Sequence, residues 1–80
     1  MKANRAYELL VRRGSRMPAF LSGDRLDHVE VVEIDSGEVV LFWDTEPRQT
    51  GRLSRALRAD LSQMDADAFL ERWRRWDPVA

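Results

Sequence analysis

The stretch from His28 to Asp44 constrains this chain most. Two runs rich in β-branched and aromatic residues, His28-Val29-Glu30-Val31-Val32-Glu33-Ile34 and Glu38-Val39-Val40-Leu41-Phe42-Trp43, are separated only by Asp35-Ser36-Gly37. Such side chains favour the pleated surface of a strand. A glycine in the intervening residues supplies the left-handed backbone that a tight hairpin turn needs. The prediction is an antiparallel β-hairpin over about 28–34 and 38–44.

Its register is open to two readings. A three-residue loop groups Val29, Val31, Val39, Leu41 and Trp43 on one face. A two-residue Ser36-Gly37 loop groups Val32, Ile34, Val39, Leu41 and Trp43 instead. In both, Val40 and Phe42 lie on the opposite face, so the second strand is apolar on both sides. Either something covers both sides or one of them is an interface.

Two amphipathic helices are predicted after the hairpin, over about 46–62 and 66–76. The first has Thr45 as its expected N-cap and Pro47 in its first turn. At 100° per residue, Leu53, Leu57, Leu61 and Met64 form one stripe, and Arg48, Arg52, Arg55 and Arg58 cluster on the other side. Gly51 weakens its start. The second helix opens on the acids of Asp65-Ala66-Asp67, which suit a positive N-terminal dipole. It buries Phe69, Leu70, Trp73 and Trp76 and stops at Asp77-Pro78. The short link between them turns one helix back on the other.

The first third is less decided. Ala3, Ala6, Tyr7, Leu10 and Val11 follow helical spacing over 3–13, with Gly14 as a cap. Tyr7, Leu9 and Val11 also alternate as a strand does. Residues 15–27 read as a loop with a short strand at Ala19-Phe20-Leu21. The expected fold class is therefore α+β, a hairpin-based sheet with C-terminal helices and an N-terminal helix, strand being the alternative there.

Eighty residues make a single domain, 1–80. A chain of this size buries only about 60% of its unfolded surface, so a partner would help its stability. There are no cysteines, which removes disulfides and thiolate metal clusters. The longest apolar run, Val39 to Trp43, is far short of the roughly 20 residues of a membrane span. Leu9-Leu10-Val11 is too short for a signal-peptide core. A cytoplasmic, non-membrane protein is expected.

Charge is segregated along the chain. Residues 1–23 carry net +4, residues 24–46 net −7 and residues 47–80 net +2. The bases are twelve arginines and the single Lys2, a bias that codon usage explains more readily than function does.

Catalytic chemistry finds little footing. His28 is the lone histidine, and the adjacent Asp27 points to the other face of the strand, where it cannot orient the ring. Glu30, Asp44 and Glu46 are the carboxylates closest to a Mg²⁺ arrangement, yet acids on a hairpin usually serve to discourage edge pairing. The four isolated glycines build no phosphate cradle. No enzyme activity and no cofactor are expected.

Two functional readings lead, with a metal-dependent enzyme as a remote third. The preferred one is a non-enzymatic protein-interaction or self-associating module, a homodimer included, with Val40 and Phe42 as its interface. The alternative is nucleic-acid binding through Arg48, Arg52, Arg55 and Arg58, which the net acidity and pI of about 5.8 disfavour.

Overall fold

The computed structural model describes residues 1–13 and 26–76. The elements run α1 (Ala3–Ala6), β1 (Tyr7–Arg12), β2 (Asp27–Glu33), β3 (Val39–Thr45), α2 (Pro47–Gln63) and α3 (Ala66–Arg74). The three strands form one antiparallel sheet in the order β1-β2-β3. The fold is α+β, with one N-terminal and two C-terminal helices among the described residues. The expected Gly14 cap, the short strand at Ala19-Phe20-Leu21 and the Asp77-Pro78 stop fall outside the described residues.

The N-terminal prediction is corrected in part. A helix forms only over Ala3–Ala6, and Tyr7 is already extended, with φ −132° and ψ 149°. From there the alternating pattern wins: Tyr7 pairs with Glu33, Leu9 with Val31 and Val11 with Val29. The reason lies in β2. Its second row of backbone groups needs a partner, and β1 supplies one.

The hairpin loop is longer than either reading allowed. Glu33 N–H donates to Glu38 O and Gly37 N–H to Glu33 O, each at 2.8 Å, enclosing Ile34 to Gly37. Gly37 has φ +74°, the left-handed conformation. A bulge at Val31/Val32 then shifts the ladder by one, so Val31 faces Leu41 and Val29 faces Trp43. The body of the hairpin thus has the register of a three-residue loop, and Val29, Val31, Leu41 and Trp43 are buried together. Val39, paired with Val32 on the turn side of the bulge, leaves that group and is 46% exposed. Ile34 is exposed in the turn.

The helices pack on the face carrying Tyr7, Val29, Val31, Leu41 and Trp43. Leu53, Leu57 and Leu61 of α2 and Phe69 and Trp73 of α3 complete the core. Tyr7 stacks on Phe69 at 5.9 Å between ring centroids. Trp73 meets Trp43 edge-on at 6.0 Å and donates its indole N–H to Asp60 at 2.9 Å. Leu70 is only half-buried, and Trp76, expected in the core, is 38% exposed at its margin against Trp43 and Trp73. Backbone bonds from Ala3 N–H to Met64 O and from Ala66 N–H to Met1 O tie the amino terminus to the link between α2 and α3.

The cap of α2 is Glu46 rather than Thr45, with Pro47 as the first helical residue. Gln49 Oε1 accepts from Glu46 N–H at 3.1 Å, one arm of a capping box. Thr45 is instead buried on β3, where its hydroxyl lies 2.8 Å from that of Thr50. Thr50 in turn donates to Asp27 Oδ2 at 2.7 Å.

Candidate functional site

One face of the sheet packs under the helices, and no described helix covers the other. Because side chains alternate along a strand, the open face is assembled from alternate residues of all three strands. Cross-strand pairing sets them in rows: Arg12, His28 and Asp44; then Leu10, Glu30 and Phe42; then Glu8, Val32 and Val39. Leu10 and Phe42 flank the central Glu30 and are 37% and 50% exposed. Glu30 is only 8% exposed, with Arg12 Nε 3.8 Å from its carboxylate.

The two interface residues read from the sequence therefore part company. Phe42 stands on the open face, stacked on the His28 ring at 5.5 Å. Val40 is the extra residue at the bulge and is half-buried against the core cluster. The alternation that placed both on one face breaks where the bulge inserts a residue. Leu10 joins the face only because residues 7–12 form a strand. The Tyr7, Leu9, Val11 alternation was the signal for it.

His28 has a partner that the sequence reading overlooked. Its Nδ1 lies 2.5 Å from Asp44 Oδ1, directly across the β2–β3 ladder. Asp27 points the other way, as the strand geometry requires, and is buried under α2. No hydroxyl among the described residues bonds to His28. Glu30, Asp44 and Glu46 do not converge: Glu30 lies across from Phe42, and Glu46 pairs with Arg48 at 2.9 Å. Among the described residues, no three histidine or carboxylate groups are placed to hold a metal ion.

The four arginines of α2 lie on the outer surface of the helix layer, away from the sheet. Arg48 pairs with Glu46. Arg52, Arg55 and Arg58 have no ion pair among the described residues. The only acid within α2, Asp60, is held by the Trp73 indole and by Arg72 at 3.4 Å. The acidic residues of the open sheet face, Glu8, Glu30 and Asp44, lie on the far side of the molecule. The α2 arginines and these three sheet-face acids thus stand on opposite surfaces, while Asp65, Asp67 and Glu71 are exposed on the helix side.

These features define a small α+β domain, a three-stranded antiparallel sheet with helices against one face. No family model matches the chain, and neither a curated protein nor a solved structure matches it. None of the described helices is long and apolar enough to cross a membrane.

Proposed function

We propose that this protein is a small non-enzymatic interaction module that self-associates through its sheet, by antiparallel pairing of β1 with β1 of a second copy. One observation carries this reading. Among the described residues β1 is an edge strand, and its open-face residues run Glu8, Leu10, Arg12: acid, apolar, base at equal spacing. About a two-fold axis at Leu10 that pattern is its own complement. Each Glu8 then faces the Arg12 of the other copy, and the two Leu10 side chains meet between them.

Cross-strand pairs of opposite charge contribute roughly 0.2–1 kcal/mol each, and pairing also satisfies the backbone groups along the edge. A closed two-fold contact is the commonest homo-oligomeric form. In the resulting six-stranded sheet the two open faces become one, with Leu10 at its middle and Phe42 farther out.

Sedimentation velocity between about 1 and about 100 µM tests the reading, because association by mass action depends on concentration. The unmodified chain is expected to shift from monomer to dimer. Glu8→Arg or Arg12→Glu alone puts like charges opposite each other and weakens the dimer. The double exchange restores it. A monomer across the whole range ends the proposal. Weakening by Phe42→Ser with no effect of Glu8→Arg moves the contact from the β1 edge to the Phe42 side of the face.

A further inference from the structure

The second surface of interest is the outside of the helix layer. Seen down the axis of α2, Arg48, Arg52, Arg55 and Arg58 span about 120°, and Gly51, Ala59 and Ser62 lie among them. All of these residues are exposed. The arginines therefore stand on a low floor of small side chains, where a bulky polymer can approach the helix closely. Holding Arg52, Arg55 and Arg58 together without a carboxylate is repulsive along a helix. An anion relieves that repulsion.

Arg52 also belongs to a neighbouring feature. Between α2 and α3 runs a groove of about 270 Å³ lined by Gln49, Arg52, Leu53, Ala56, Trp73 and Trp76. It is slightly below the roughly 300–1,000 Å³ of small-molecule sites, a size suited to a single planar ring system. Trp73 forms its inner wall, with the indole N–H already satisfied by Asp60. Trp76 is the half-open wall and has no hydrogen bond from its indole N–H among the described residues. A row of cations beside an aromatic slot is the arrangement that holds single-stranded nucleic acid: phosphates on the arginines, bases stacked on the ring.

We infer that this face of α2 and α3 binds single-stranded nucleic acid, with Arg52, Arg55 and Arg58 along the phosphates and one base against Trp76. An acidic peptide would use the arginines but has no need of the groove. Net acidity does not reach the arginine row: Glu8, Glu30 and Asp44 lie on the opposite surface, and Glu71, exposed on the helix side, is paired with Arg75. The inference stands apart from self-association, since the β1 edge is not part of this surface.

The test is a titration of the intact chain with a fluorescently labelled oligothymidylate of roughly 12 nucleotides, begun at about 20 mM salt. Anisotropy reports binding, and tryptophan quenching reports stacking. Affinity is expected to fall with salt at a log–log slope of about −2, the value for three phosphates on a single strand. Arg52→Ala with Arg55→Ala should weaken binding about tenfold or more. Trp76→Ala should weaken it by about 5- to 150-fold, the range for loss of one stacked base, and Trp76→Phe should recover most of the affinity. Absence of binding at low salt overturns the inference. So does an unchanged affinity in Trp76→Ala, or equal binding of poly-aspartate, since either reduces the surface to one without base recognition.

Discussion

Thr50 shows how much one side chain can organise here. It is fully buried, and its hydroxyl lies between Thr45 of β3 and Asp27 of β2, fastening the first turn of α2 to both strands. Asp27 is also buried and has Arg13 at 3.6 Å. A carboxylate inside a protein depends on the donors around it, so removing one leaves a desolvated acceptor. Thr50→Val keeps the shape and deletes the donor. It is expected to cost about 1–3 kcal/mol in urea unfolding, and Thr50→Ser should recover most of that. An unshifted midpoint for Thr50→Val would mean that the hydroxyl does not serve Asp27. Nothing in the sequence announces this cluster, because Asp27 and Thr50 are 23 positions apart and meet only in the folded chain.

At the scale of elements, two glycines separate a local requirement from an accident. Gly37 holds φ +74° at the end of the hairpin loop, and Gly37→Ala should cost about 1–2 kcal/mol although there is open space around it. Gly51 sits exposed inside α2, where a Cβ would meet nothing within 4 Å. Gly51→Ala should therefore stabilise the protein by about 0.5–1 kcal/mol, read as a higher melting temperature. A lower melting temperature for Gly51→Ala would show that the exposed start of α2 needs glycine for a reason other than helix formation. The leucine stripe of α2, the Phe69/Trp73 pair and the hairpin were legible because each follows a period that burial enforces. The bulge at Val31/Val32 was not, since one inserted residue leaves no mark in an apolar strand. Val40 was misplaced for that reason.

For the whole molecule, Leu57 is the measure of cooperativity. It is fully buried between sheet and helices, and Leu57→Ala is expected to cost about 2–5 kcal/mol. Total stabilities of small domains are about 5–15 kcal/mol, so this one change should remove a large part of the margin. Unchanged melting and full soluble expression of the variant would contradict the core. The layered charge also belongs to this scale. Sequence counting locates an acidic middle segment, but the packing of helices on one sheet face is what sets Glu8, Glu30 and Asp44 opposite the α2 arginines.

The hairpin with its glycine turn, the two amphipathic helices and most of their buried faces were determined by the sequence alone. Those features rest on local periodicity and turn chemistry, which act over a few residues. Tertiary structure decided the rest. Residues 7–12 become a strand because β2 has an edge to fill, His28 meets Asp44 across the ladder, and Asp27 finds Thr50 under α2. Trp76 ends at the margin of the core because α3 stops at Arg74, before Trp76 is reached. Each of these depends on which distant groups are brought within a few ångströms, and, the Tyr7, Leu9, Val11 alternation apart, no local pattern in the chain encodes that.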